Sequence, residues 1–159
     1  MSYCIDTSAL SFGWRRHYPP ANFPSLWADV ERFIDDGTLI APEEVLEELK
    51  RGGDDLYDWV RNKNGFFIPP DSDIQAAVST ILANPEHAKL LYTQTATNQV
   101  VADPFVIATA QVRGCAVISG EVLMTSPSPT KNKIPNVCAD LGIDHISFLE
   151  FIQRQSLVY

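Results

Sequence analysis

The chain has 159 residues, of which 45% are apolar and 20% are charged, proportions that are typical of a single folded domain and exclude a disordered chain. No stretch is long and apolar enough to cross a membrane, and the N-terminus has neither the basic nor the apolar region of a secretory signal, so no membrane partner is expected. The formal net charge of −8 argues against a general nucleic-acid binder, because phosphate contacts dominate that affinity, unless divalent metal ions offset clustered carboxylates.

The first predicted element is a strand made of Tyr3-Cys4-Ile5, a short run that is apolar on both faces and suits the centre of a parallel sheet. Asp6 ends this strand, and Thr7 and Ser8 follow with side chains that can cap the next helix. Ligands bind at the carboxyl edge of open α/β sheets, so Asp6 is a candidate functional residue. The alternative is that Asp6 is only a turn or cap residue.

Helical periodicity and breaker residues divide the rest of the chain into alternating helices and strands. The predicted helices cover residues 9–17, 23–34, 43–51, 54–63, 73–83, 85–91, 104–112, 138–141 and 148–153. The later predicted strands cover residues 39–40, 66–68, 115–119 and 143–146, and residues 93–98 stay unassigned. This alternation predicts one domain over residues 1–159, an α/β three-layer sandwich in which helices flank a central, mostly parallel sheet of four to five short strands.

The cysteines and the basic residues point to no further site. Cys4, Cys115 and Cys138 are far apart and form no CxxC pair, which argues against a zinc site and a disulfide framework and indicates the cytosol. The basic residues fall in three groups, and the default interpretation of each is a solvated surface. These groups are Arg15-Arg16-His17, Lys50-Arg51, and Lys131 with Lys133.

Four acids fall at the ends of predicted elements that should meet. Asp6 ends the first strand, Glu48 lies in the helix after the second, Asp103 precedes Pro104 at the start of an apolar helix, and Glu121 follows the strand over 115–119. Buried carboxylates repel one another unless a cation offsets their charge, and hard oxygen ligands select Mg²⁺ or Mn²⁺ over zinc. The expectation is that Asp6 and Asp103 approach within about 6 Å, a span that one hydrated cation can bridge.

Each acid also has a simpler interpretation. Glu48 has three acidic neighbours, so Glu44 could be the helix acid that faces the site instead. Asp103 before Pro104 is a good N-cap and first-turn pair that needs no function, and Glu121 could be a turn residue.

The order and context of these acids resemble those of the PIN-domain ribonucleases, which include VapC-like toxins. The family's first strand ends like Ile5-Asp6-Thr7-Ser8, and its second acid lies in a pattern similar to Glu48-Leu49-Lys50-Arg51-Gly52. Its third acid opens a buried helix similar to 102–108, and its fourth follows a strand in a Thr-x-Asp pattern, where this chain has Ser119-Gly120-Glu121. The segment 133–138 is similar to that of a less-studied PIN-like branch.

This resemblance implies an endoribonuclease that depends on Mg²⁺ or Mn²⁺ and acts as the toxin of a toxin–antitoxin pair. It implies that Asp6, Asp103 and Glu121 hold the metal and that Glu48 completes the catalytic set. Ser8 would orient an acid or contact a phosphate, and Asn136 would reach the metal, its water or the substrate. The implied partners are RNA and an antitoxin protein, and a homodimer stays open.

Three alternatives remain at this stage. A phosphatase of the haloacid dehalogenase type needs a second acid two residues after the first, where this chain has Ser8. A non-catalytic PIN-like module that binds RNA or protein fits the Glu at position 121. A plain interaction domain with an acidic surface would leave the four acids scattered. The chain also lacks the glycine-rich phosphate-binding motifs of nucleotide-binding modules.

Overall fold

The computed structural model describes residues 1–91 and 101–159, and these form an α/β domain whose five strands are all parallel. The strands follow the spatial order β3-β2-β1-β4-β5. Their bounds are β1 Tyr3–Ile5, β2 Leu39–Pro42, β3 Phe67–Ile68, β4 Ala116–Ile118 and β5 His145–Ile146. The predicted fold class is confirmed, and β1 is the central strand, as its apolar character indicated.

Helices flank the sheet and follow the predicted pattern closely. Their bounds are α1 Thr7–Phe12, α2 Pro24–Asp35, α3 Glu43–Gly52, α4 Asp55–Val60, α5 Ser72–Ala83, α6 Pro85–Ala88, α7 Asp103–Arg113, α8 Ile134–Leu141 and α9 Phe148–Arg154. A π-helical turn over Gly13–His17 continues α1, and a 3₁₀ turn over Lys89–Leu91 continues α6. Within the described residues, no helix has the length and apolar character that crossing a membrane requires.

Three helices differ from the sequence-based expectation, and one of them, α4, ends at Val60 rather than at residue 63. Helix α8 begins at Ile134, four residues before the predicted start, because Lys133 is still extended and Pro135 fits the first turn of a helix. The first predicted helix is divided, because α1 ends at Phe12 and the chain widens into the π-helical turn. The unassigned residues 93–98 lie outside the described part of the chain.

The register between β1 and β4 sets where the chain leaves the sheet. Tyr3 pairs with Ala116 and Ile5 pairs with Ile118, and the backbone N–H of Asp6 donates to the carbonyl of Ile118 at 2.8 Å. Asp6 and the residues after Ile118 therefore emerge side by side at the carboxyl edge. Both strands are completely buried, so this edge of the sheet lies directly above the hydrophobic core.

Candidate metal centre

Three of the four predicted acids converge at the carboxyl edge of the sheet. Asp6, Asp103 and Glu121 each place a carboxylate oxygen so that the three atoms lie within 4.8 Å of one another. Asp6 and Asp103 thus approach within the span expected from the sequence. We call these three residues the acidic cluster. The three acids come from separate parts of the chain, so the tertiary fold assembles them.

Ser8 holds Asp6 in place. The Asp6 Oδ2 atom accepts hydrogen bonds from the backbone N–H of Ser8 at 3.2 Å and from its hydroxyl at 2.6 Å. Ser8 Oγ in turn accepts from the N–H of Gly120 at 2.9 Å, which ties the ends of β1 and β4 together. The expectation that Thr7 and Ser8 cap the first helix is wrong, because Asp6 itself is the N-cap.

The second oxygen of Asp6 has no hydrogen-bond partner in the part of the chain that the structure describes. Asp6 is only 3% exposed, and its Oδ1 atom is buried without a hydrogen bond among the described residues. A buried polar atom without a partner is costly, so such an atom in a native protein needs an explanation. Since this residue belongs to a group of three acids, a cation is the simplest partner for the free oxygen.

Asp103 is not the N-cap that the simpler interpretation required. Helix α7 has Ala102 at its N-cap position, and Asp103 is the first residue inside the helix, followed by Pro104. The carboxylate is therefore not needed to close the helix end. It lies in the acidic cluster, and a negative charge in the first turn also suits the helix dipole.

Glu121 reaches the acidic cluster through a tight turn after β4. Its backbone N–H donates to Ser119 Oγ at 3.2 Å, and its Oε2 atom accepts from the N–H of Ile134 at 3.3 Å. A Cβ at Gly120 would lie 2.5 Å from the ring of Phe12, so only glycine fits between β4 and α1 without displacement. The resemblance implies Asp at this position, and the side chain of Glu121 is longer by one methylene. The turn after β4 is where this longer side chain enters the acidic cluster.

The sequence-based interpretation missed the support behind this turn. Ser119 is buried, and its hydroxyl lies 2.7 Å from Nε2 of His145 on β5. His145 thus fixes the serine that holds the backbone of Glu121. The pairing joins residues 26 positions apart in different elements, and no local pattern signals it.

Glu48 lies beside the acidic cluster but is not one of its three members. Its Oε1 atom accepts a hydrogen bond from Thr7 Oγ1 at 2.5 Å, which places it next to the residue that follows Asp6. Glu44, the alternative helix acid, lines a different cavity with Phe67 and Phe105. The structure therefore places Glu48, not Glu44, near the three carboxylates.

Burial and mutual repulsion disfavour the charged forms of all four acids. Burial raises the pKa of Asp103 to about 9, with further contributions from the charges of Asp6, Glu121 and Glu48. Burial also raises the pKa of Asp6, although the hydrogen bonds from Ser8 oppose the shift. The pKa values of Glu48 and Glu121 rise mainly by burial and also through the charge of Asp6.

Asn136 has its side-chain amide engaged elsewhere. Its Oδ1 atom accepts from the N–H of Met124 at 2.9 Å, and its Nδ2 atom donates to the carbonyl of Met124 at 3.2 Å. The residue thus clamps the start of the loop after Glu121 onto α8. Both polar atoms of this side chain are therefore bonded to Met124, and the binding role stays a prediction. Ser8, the other predicted binding residue, contacts Asp6 directly.

Comparison with known proteins places the chain in a family. The model of a domain of unknown function, DUF4411, matches residues 3–159, almost the whole chain. The chain belongs to this family. No curated protein matches the sequence significantly.

The fold has a counterpart among solved structures. A chain in the crystal structure of VapBC2 from Rickettsia felis, bound to a DNA fragment from its promoter, superposes with a TM-score of 0.51. The sequence identity is 11%, and the match covers 93% of this chain and 99% of that chain. At this identity the likeness establishes the fold alone, and the DUF4411 chain shares it.

The donor set of this DUF4411 domain suits a hard divalent cation. Three carboxylates supply only oxygen atoms, the ligands that Mg²⁺ and Mn²⁺ prefer, and the described residues bring no cysteine or histidine into the group. The free Oδ1 of Asp6 and the raised pKa of Asp103 are both features that a bound cation would relieve. The acidic cluster thus fits a metal on its chemistry.

Proposed function

We propose that this chain is an endoribonuclease that depends on Mg²⁺ or Mn²⁺ and forms the toxin of a toxin–antitoxin pair, with residues 1–159 acting as one PIN-like domain. The observation that carries the proposal is the convergence of Asp6, Asp103 and Glu121 within 4.8 Å at the carboxyl edge of the sheet. The match to a chain of VapBC2 and the PIN-like order of the acids support the same class of function.

In this function Asp6, Asp103 and Glu121 hold the cation. A divalent cation held by these residues would supply Lewis-acid chemistry, namely polarisation of a phosphate and a lowered pKa of a bound water. Ser8 keeps Asp6 in one rotamer through its 2.6 Å hydrogen bond, so the site is assembled before substrate arrives. Ser119 accepts a hydrogen bond from the backbone N–H of Glu121 and so holds that residue in place.

Glu48 is suited to accept a proton. It is partly buried beside Asp6, its pKa is raised by burial, and Thr7 fixes its Oε1 atom. A backbone hydrogen bond from Ala102, just before α7, also holds this carboxylate. A carboxylate with a raised pKa is a better general base than an exposed one, so we assign this role to Glu48.

One basic side chain offsets part of the acidic charge. Lys133 is close enough to Glu121 to lower the pKa of that acid, and it is suited to contact a phosphate of the RNA. The net charge of −8 then restricts binding to RNA that engages the metal.

The proposed partner is an antitoxin that blocks the acidic cluster. A basic side chain of the inhibitor would offset the same carboxylate repulsion that a cation offsets. Co-expression with the product of the neighbouring gene, followed by pull-down, tests this partnership. A chain that is harmless when expressed alone and captures no neighbour would contradict it.

The test of the activity is cleavage of single-stranded and structured RNA by the purified chain in Mg²⁺, in Mn²⁺ and in EDTA. We expect cleavage in either metal and none in EDTA. The matched Asp103→Asn protein, purified in parallel, controls for contaminating ribonuclease. Metal-dependent stabilisation without cleavage of any RNA would favour the non-catalytic PIN-like module.

A further inference from the structure

Glu44 is a second buried acid that the proposed metal centre does not use. It lies in the first turn of α3, is only 9% exposed, and its Oε2 atom has no hydrogen-bond partner among the described residues. It lines a cavity of about 440 Å³ together with Glu43, Glu47 and two aromatic rings. A buried carboxylate oxygen without a partner is costly, so this arrangement calls for a ligand.

The walls of this cavity combine charge with flat apolar surface. Glu43, Glu44 and Glu47 supply carboxylates, and the partly buried Phe67 and Phe105 supply ring surface. Burial raises the pKa of Glu44, and the charges of Glu43 and Glu47 raise it further. The cavity therefore combines carboxylates with aromatic and aliphatic surface.

Two kinds of ligand fit these walls poorly. A metal ion is disfavoured, because the acidic cluster is the single group of potential metal ligands that the described residues assemble. RNA is disfavoured, because three carboxylates repel its phosphates. The carboxylates and the rings together suit an organic cation with an apolar, planar surface.

We propose that this cavity binds an arginine side chain of a protein partner. The guanidinium plane can stack on an aromatic ring while its N–H groups donate to a carboxylate, a combination that lysine cannot reproduce. Glu44 and Glu48 are four residues apart, so they lie on one face of α3. This inference depends on the proposed function in one respect only, which is that the partner is taken to be a protein.

The experiment titrates the full chain with Nα-acetyl-arginine amide and follows the ring ¹H–¹³C signals of Phe67 and Phe105 by NMR. Excess Mg²⁺ is present throughout, so that the acidic cluster is occupied. We expect saturable shifts of both rings and affinity that is about tenfold weaker or worse in Glu44→Gln, because the guanidinium loses a charged acceptor. The control is Asp73→Asn, an exposed acid in the first turn of α5, which should bind as the wild type does.

A second variant tests the proposal even if Glu44→Gln does not fold. Phe105→Leu leaves the carboxylate but removes the ring, and it should weaken arginine amide more than Nα-acetyl-lysine amide. Equal binding of the two amides by the wild type, or ring shifts that persist unchanged in Glu44→Gln, would overturn the proposal. So would ring shifts with an oligouridine probe but not with arginine amide. The experiment measures binding and not RNA cleavage, so a chain without nuclease activity would still give an interpretable result.

Discussion

Replacing Asp103 with Asn separates a metal ligand from a structural residue. The two side chains are nearly isosteric, and Asp103 lies inside α7 while Ala102 occupies the N-cap position. Loss of the charge therefore removes no cap. It removes one of the three carboxylates that lie within 4.8 Å of one another.

The magnitude follows from this geometry. Two unit charges 4.8 Å apart repel by about 3 kcal/mol at an effective dielectric constant of about 20. Asp103 faces two such charges when all are ionised, and partial protonation at neutral pH reduces the repulsion. We therefore expect the metal-free Asp103→Asn protein to be more stable by about 1–3 kcal/mol, which raises its melting temperature by roughly 2–10 °C for a chain of this size.

The metal response should change in the opposite direction. For the wild type, Mn²⁺ at about 100 times its dissociation constant adds about 2.7 kcal/mol of stability. The variant loses a charged oxygen ligand, so this stabilisation should largely disappear and RNA cleavage should fall by about two orders of magnitude or more.

The assay is a thermal melt with and without Mn²⁺, beside RNA cleavage. Asp58→Asn, an exposed acid on α4, makes the same change of charge away from the acidic cluster and serves as the control. If Asp103→Asn melted, responded to Mn²⁺ and cleaved RNA as the wild type does, Asp103 would be a structural residue only.

Three further predictions concern the groups around the acidic cluster. Ser8→Ala removes the hydroxyl that joins Asp6 to Gly120, so metal affinity measured by calorimetry should fall about 10- to 100-fold, whereas unchanged affinity would refute the positioning role. Gly120→Ala places a Cβ 2.5 Å from the Phe12 ring, so denaturant unfolding should show a loss of about 1–3 kcal/mol, and an unchanged midpoint would refute the close packing. The raised pKa values of Asp6, Asp103 and Glu121 mean that the metal-free folded state binds more protons than the unfolded state from about pH 4 to about pH 9. Its melting temperature should therefore fall as pH rises through that window, and a flat profile without metal would contradict this reasoning.

The sequence was sufficient for the architecture because the relevant signals are local. The fully apolar runs around Cys4 and Val117 indicated buried parallel strands, and helical periodicity located the elements between them. Parallel strands share one carboxyl edge, and the helix that leads into β4 begins at that edge, so the approach of Asp6 to Asp103 follows from topology. Helix α8 is longer than predicted, because the prediction begins only at Cys138, whereas Pro135 is favourable in the first turn of a helix and the structure begins the helix at Ile134.

Side-chain pairing over long sequence distances was not predictable in the same way. The pair of Ser119 and His145 depends on how β4 and β5 align, which the composition of either strand does not specify. Glu44 and Glu48 lie on the same helical face, so periodicity could not say which of them approaches Asp6. The resemblance of Glu48-Leu49-Lys50-Arg51-Gly52 to the PIN pattern favours Glu48, and the contact between Glu48 and Thr7 agrees with that choice.

The position of the acidic cluster follows from the order of the strands. The chain proceeds from β1 to β2 and β3 on one side of the sheet, and β4 and β5 then extend it on the other side. The order therefore reverses between β1 and β4, and a crevice opens at such a switch point outside the carboxyl ends of the strands. Asp6 and Glu121 leave the sheet at this crevice, and Ser8 bridges their two strands through the N–H of Gly120. Gly120 has no side chain, so the Phe12 ring packs directly against it and the turn after β4 lies close to α1. From this turn the longer side chain of Glu121 places its carboxylate beside those of Asp6 and Asp103.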